Sequence, residues 1–182
     1  INVSINGIPY NDAESQGTFW VKLPDFGSSV GTLQLQRGVG TSTNGAGAFG
    51  ASINLTTDRM SDAAYVQLSN SFGSFATRKH TMMFSTGPIS NQFELSGRLS
   101  KIDSDGYIDR ASSDLKSYFL QGIFRDGNTQ IKALAFGGFE RTYQSWFGID
   151  ETTLKTNRTY NPAGENYDSE GNVIGFYEDQ VD

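Results

Sequence analysis

The chain has no cysteine, which rules out a disulfide framework and any thiolate metal site. His80 is the only histidine, and with no second His or Cys beside it, it makes a poor metal ligand. No run of 18 apolar residues occurs, so the sequence holds no transmembrane helix. Charged residues make up only 19%, and they are unevenly spread. Residues 1–140 carry 12 acids and 11 bases, and residues 141–182 carry 8 acids and 3 bases. An acidic, polar end of this kind speaks against nucleic-acid binding. No Ser/His/Asp set and no carboxylate pair has a spacing suited to catalysis, so the sequence offers no enzyme chemistry and implies no cofactor.

What is present points to β structure. Aromatics reach 13%, and 21 glycines stand against 4 prolines, in a background of Ser, Thr and Asn. INVSINGIPYND reads as a short strand from Val3 to Ile8 and then a polar loop. GTLQLQRG and ASINLTT read as two more strands, separated by a glycine-rich stretch. From about Asp58 the character changes, and five longer alternating segments follow: AYVQLSNSF, RKHTMMFST, FELSGRLSK, LKSYFLQGIFRD and TQIKALAFGGFE. Roughly 9 to 12 residues each suits a tilted strand across a bilayer. FELSGRLSK alternates most cleanly, with Phe93, Leu95 and Leu99 opposing Glu94, Ser96 and Arg98. The last two segments carry apolar residues on both faces. Tight connectors (GPISN, DGN) alternate with the longer IDSDGYIDRASSD, and beyond about Arg141 no convincing strand appears. Short turns at one end and long loops at the other mark a membrane β-barrel, although a soluble sandwich can share the pattern.

The stretch RGVGTSTNGAGAFGASINLTT, Arg37 to Thr57, holds five glycines and one charge. A Gly/Ser linker does not explain its ordered flanks, whereas small residues let backbone pass close to backbone. Together with the preceding LQLQ, it resembles the plug signature of TonB-dependent outer-membrane receptors. Arg37, Gly38, Gly45, Gly47, Ala48, Gly50, Ile53, Asn54 and Thr57 fall in register with that pattern. Val39 stands where the family has proline, and Asn44 where it has an aromatic. The stretch looks nearer the siderophore and cobalamin type than the carbohydrate-uptake branch.

The resemblance implies an all-β fragment of a plugged transmembrane barrel. Residues 1–58 would form the rear of the plug, with minor α/β character, and 59–182 the first five or so antiparallel barrel strands. A long extracellular loop would start near 141. The opening INVSING and the closing YEDQVD read as cuts within a longer fold. By the same resemblance, Arg37 is an inward lock awaiting wall carboxylates, against the plainer reading of a surface arginine at a strand end. Asn11, Gln16, Phe19 and Trp20 would sit on a plug loop facing the ligand, against the plainer reading of loop aromatics packed on the wall. Tyr107, Tyr143 and Trp146 are outer-loop contact candidates, against the plainer and commoner reading of girdle or loop-packing aromatics. DSDGYID holds half a calcium-loop pattern, but Lys101 and Ser112 stand at its first and last ligand positions; DSEGN fails similarly.

The expected function is uptake of a scarce nutrient (iron–siderophore, haem or corrinoid) across a bacterial outer membrane. The partners implied are a TonB-type coupling protein, a small metal-chelate or corrinoid ligand, and outer-membrane lipid. The alternative is a soluble all-β binding module of lectin or adhesin type. On the first reading, Gln92, Glu94, Ser96 and Arg98 meet the plug, while Phe93, Leu95 and Leu99 meet lipid.

Overall fold

A computed structural model of the chain describes residues 1–39, 48–57 and 61–177. The first part builds a small mixed sheet from β1 (Asn2–Ile5), β2 (Ile8–Pro9), β3 (Val30–Arg37) and β4 (Ala51–Thr57), in the order β2-β1-β4-β3. β1 runs parallel to β4, and β2 and β3 are antiparallel to their neighbours. The alternation from Val3 to Ile8 suggests one strand, but the structure makes a tight hairpin there. Asn6 and Gly7 both adopt positive φ, 52° and 83°, the two-residue turn that Asn-Gly favours.

The second part is a five-stranded meander in chain order: β5 (Ala64–Phe72), β6 (Arg78–Thr86), β7 (Phe93–Ser104), β8 (Ser113–Asp126) and β9 (Thr129–Thr142). All five alternating segments of the sequence are strands, and every pairing is antiparallel. The 105–112 connector and the chain beyond Thr142 leave from one end of this sheet, and the two-residue turn before β9 lies at the other. Where the sequence suggests no strand after 141, a short helix α1 (Glu151–Thr156) and a hairpin of β10 (Glu165–Tyr167) and β11 (Val173–Phe176) are found. These strands are too short, and too bulged at Asn166/Tyr167, to show a period. Their turn is held by Asp168, whose carboxylate accepts from the backbone N–H of Glu170 (2.9 Å) and Asn172 (2.8 Å).

The register sorts the meander into two unlike faces. On the outer face, cross-strand rows read Phe93–Phe124–Ile131, Leu95–Gly122–Ala133, Val66–Phe84–Gly97–Leu120–Ala135 and Leu68–Met82–Leu99–Tyr118–Gly137. The inner rows include Gln67–Met83–Arg98–Phe119–Phe136 and Ser69–Thr81–Ser100–Ser117–Gly138. Leu68 is 71% exposed and Leu99 55%, whereas Glu94 and Arg98 are 1% and 2% exposed. Apolar residues therefore look outward, and polar ones are buried against the small sheet.

The core sits between the two sheets. Val3, Ile5, Leu23, Phe26 and Leu55 of the first part meet Phe119 of β8, with Tyr10, Leu134 and Phe136 at the margin. Phe26 packs edge-on to Phe119 at 6.2 Å and tilted against Phe136 at 5.0 Å. This explains why β8 and β9 carry apolar residues on both faces: one set looks outward, and the other grips the small sheet.

Candidate functional site: the junction of small sheet and wall

Two short 3-10 turns, Trp20–Lys22 and Phe26–Ser29, lead from the first loop into β3. Asp25 lies between them with φ 52°, a left-handed conformation open to Asp at modest cost. That backbone turns its carboxylate onto the wall. One oxygen accepts from Lys79 Nζ (2.7 Å) and Ser28 Oγ (2.6 Å), and the other from Arg98 Nη1 (2.7 Å) and Ser100 Oγ (2.6 Å). Arg98 Nε also donates to Ser29 Oγ at 2.7 Å, and Nη2 to Ser117 Oγ at 3.2 Å. Lys79, Arg98 and Ser100 belong to β6 and β7, so one carboxylate ties the small sheet to two wall strands.

A buried arginine is tolerable only when it is paired and hydrogen-bonded, and here Asp25, Ser29 and Ser117 accept three bonds from Nη1, Nε and Nη2 in turn. Burial pushes the Asp25 carboxyl up, but hydrogen bonds from Lys79, Ser100 and Ser28 and the charge of Arg98 outweigh it. The net effect holds Asp25 below its ordinary value, so it is a carboxylate at neutral pH.

A further polar bridge crosses the same junction, and another lies beside it within the wall. Thr57 Oγ1 donates to Gln121 Oε1 at 2.6 Å. Glu94 accepts from the Ser85 hydroxyl (2.5 Å) and from the Ser61 backbone N–H (2.9 Å), pinning the chain where it enters the wall. Close approach at this level depends on Gly138 of β9: an added Cβ would lie 2.5 Å from Pro24 Cγ and collide with the Lys116 carbonyl. Of the inward set expected from FELSGRLSK, Glu94 and Arg98 are buried. Gln92 is instead in the turn before β7, exposed, with its amide donating to Asp126 at 3.3 Å.

The residues singled out from sequence lie as follows. Arg37 ends β3, exposed and paired in the ladder with Ala51. Gly38 has φ 85° and donates its N–H to the Gly50 carbonyl at 2.9 Å. A Cβ at Gly38 or Gly50 would meet no described atom, so close packing is not what those two positions show. Gly45 and Gly47 lie outside the described residues. Asn54 accepts from the Ser4 hydroxyl at 2.5 Å and so ties β4 to β1.

In the loop before the first 3-10 turn, Asn11 is engaged with its own chain. It accepts from Val3 N–H (2.7 Å) and donates to the carbonyls of Ile1 (2.9 Å) and Gln16 (2.7 Å). Gln16 has φ 54° and its amide donates to the Ala13 carbonyl at 3.1 Å. Phe19 and Trp20 are exposed, Phe19 with Lys22 over its ring at 4.9 Å. Tyr107 packs edge-on against Phe75 at 5.5 Å, and Trp146 is exposed. Tyr143 donates to the Tyr177 carbonyl at 3.0 Å. Among the described residues, no hydrogen bond or ring contact joins the Asn11–Trp20 group to the outer-loop aromatics.

The 105–112 connector and the segment after β9 share a hub of their own, which no motif in the sequence marks. Arg110, at φ 63°, donates to the carbonyls of Asn161 and Ala163 and stacks over Phe176 at 3.7 Å. The fully buried Asn161 donates to the carbonyls of Asp109 and Gln144, each at 2.9 Å. Nearby, a hydrogen bond with Glu165 pushes the Tyr160 hydroxyl up to about 12. The long segment after β9 is thus fastened onto the 105–112 loop. Asp25 carries a faint sequence signal, as a lone acid between Pro24 and Phe26. Arg98 shows itself as the one cation on the inward face of FELSGRLSK, but nothing in the sequence pairs the two.

A small plugging sheet locked by buried polar contacts to an outward-apolar, inward-polar antiparallel wall defines a piece of a plugged transmembrane β-barrel. No protein-family model and no curated protein matches the chain. Solved structures do. The pyoverdine outer membrane receptor FpvA of Pseudomonas aeruginosa PAO1, bound to pyoverdine, superposes with a TM-score of 0.63 at 19% identity. That match covers 96% of this chain and 24% of the receptor chain. P. aeruginosa FpvA bound to a heterologous pyoverdine gives a TM-score of 0.64 at 17% identity, over 97% of this chain and 22% of that one. The FpvAI–pyocin S2 complex likewise gives 0.64 at 17%, over 96% and 22%. The chain therefore spans under a quarter of the length of these neighbours, and what it shares with them is the fold.

Proposed function

We propose that this chain is part of a TonB-dependent outer-membrane receptor that imports an iron–siderophore complex. In this reading residues 1–58 are the rear of the plug, and the five-stranded sheet is the opening of the barrel. The work is binding and gating: outer loops and plug apex capture the ligand, and force delivered by a TonB-type partner shifts the plug. The observation that carries it is the Asp25 cluster, a plug carboxylate held by Lys79 and Arg98 of the wall behind an outward-apolar sheet. The Asp25 contacts are firm at rest yet polar, so water entering on plug movement can replace these partners one by one. The likeness to siderophore-receptor structures favours an iron chelate over a corrinoid as the cargo.

A soluble sandwich is disfavoured because its second sheet would have to cover Leu68, Leu99, Leu120 and Phe124, and the small sheet lies on the opposite face. The test is energy-dependent uptake. Iron-starved cells producing the protein that carries this chain should accumulate radiolabelled ferric siderophore, and an uncoupler of the inner-membrane gradient should abolish accumulation. A protein that purifies as a monomer without detergent, or uptake indifferent to the uncoupler, overturns the proposal.

A further inference from the structure

Two charged side chains are buried on the inner face of β7, and only one of them has a counter-ion. Arg98 has Asp25. Glu94, 1% exposed, forms no ion pair among the described residues. Its two oxygens accept from the Ser85 hydroxyl and the Ser61 N–H, and the Ser85 oxygen in turn accepts from the Gly87 N–H at 2.9 Å. A carboxylate so deep is costly without a cation, and neutral donors leave that cost largely unmet.

Glu94 and Arg98 line one small cavity of about 30 Å³, room for about one water. Four positions along a strand put their Cα atoms about 13 Å apart. An arginine and a glutamate leaning toward each other span that distance. On their face of β7 only Ser96 stands between them, and its ladder neighbours are Ser85 and Gln121. No bulky side chain of β7 separates the two.

Their partners belong to different parts of the molecule. Arg98 donates to Asp25 and Ser29, which precede β3, and to Ser117 of β8. Glu94 is held by Ser85 of β6 and by Ser61 where the chain enters the wall. Movement of the small sheet and its 3-10 turns away from the wall would take Asp25 and Ser29 from Arg98 but leave Glu94 where it is. The guanidinium would keep Ser117 alone, across a cavity from a carboxylate that has stayed in place.

We infer that Glu94 is a second counter-ion for Arg98: as Asp25 withdraws, the guanidinium turns across the cavity to Glu94, and the unlocked wall keeps its charges paired. This hand-over rests on the plug-and-wall reading above and eases release of the plug, because the arginine is never left alone. Its test is urea unfolding of the full protein carrying this chain, in detergent, and needs no ligand. In the wild type, Glu94→Gln should raise the unfolding constant about fivefold, as loss of one hydrogen bond does. In the Asp25→Ala background, where Arg98 has already turned to Glu94, the same change should weigh about tenfold more. In Asp25→Ala/Arg98→Leu that excess should vanish, and a crystal structure of the Asp25 variant should show the guanidinium paired with Glu94. If Asp25→Ala does not fold, Asp25→Asn takes its place. An effect of Glu94→Gln that is equal in all three backgrounds, or a guanidinium that stays on Ser29 and Ser117, overturns the inference, and Glu94 then only pins Ser61 and Ser85. Coupling in a protein that takes up no ferric siderophore overturns the proposed cargo and leaves the hand-over standing. A protein that purifies as a monomer without detergent overturns both.

Discussion

The two faces of the five-stranded wall are built from the same strands, residue by residue in alternation, yet they obey opposite rules. On the outer face Leu68, Leu99 and Leu120 stay exposed, as the proposed membrane setting requires of a lipid-facing surface. On the inner face, Glu94, Arg98, Ser100, Ser117 and Gln121 are buried, and each buried polar group is answered across the junction or along the wall. Burial here is therefore no guide to hydrophobicity. It marks where the plug sits, and the cost of burying charge is offset by a mesh of short contacts around Asp25 rather than by apolar packing alone.

The strongest way to break this contrast is Asp25→Ala. Arg98 would be left buried without its counter-ion, costing about 3–5 kcal/mol, seen as a lower unfolding midpoint of the plug–wall unit in detergent. A matching loss in the Arg98→Leu single variant, with much of it recovered in the Asp25→Ala/Arg98→Leu double variant, would place the penalty on the stranded charge. Leu120→Arg puts a charge into the third apolar row on the outer face and should cost about 2–4 kcal/mol in a bilayer. The same change should be nearly silent if that face meets water, so comparing folding in vesicles and in a soluble preparation separates the cases. Gly138→Val drives Pro24 off the wall and should cost about 1–3 kcal/mol, with tryptophan fluorescence from nearby Trp20 reporting the displacement.

The smallest effect is that of pH. Asp25 is held below its ordinary value in the folded state, so its contribution is full above the unfolded carboxylate value of about 4. It declines only as pH falls through the lower folded value. Midpoints measured between pH 5 and 8 should thus show no change traceable to Asp25, and the wild type should approach Asp25→Ala only in strong acid. A difference between the two that shrinks already near pH 6 would mean the carboxylate is not stabilised as its contacts imply.

Much of the architecture is legible in the chain because period-two alternation is a local property. Phe93, Leu95 and Leu99 against Glu94, Ser96 and Arg98 fix a strand and its two faces without reference to any other segment. DGN fixes the β8–β9 turn, and the glycine-rich stretch with its flanking strands points to a plug. The β10–β11 hairpin escapes the same reading because strands of three and four residues carry too few alternations to register. The site is less legible still. Arg37 draws attention as the lone charge of a distinctive stretch, yet the junction is built by Asp25, 12 residues earlier, and Arg98, 61 residues later. No spacing rule links residues that meet only because β7 passes the turn between two 3-10 segments.

The sequence by itself determined that this protein is made of strands, how many the wall has, and which residue of each pair looks each way, since side-chain alternation and turn chemistry act over a few neighbours. Only the tertiary structure decided which polar residue answers which, that Gly138 lets Pro24 approach while Gly38 and Gly50 stand in open space, and that Arg110 and Asn161 fasten the segment after β9 to the 105–112 connector. Those outcomes depend on register and on the docking of one sheet upon another. These are long-range alignments, and a linear chain carries no local mark of them.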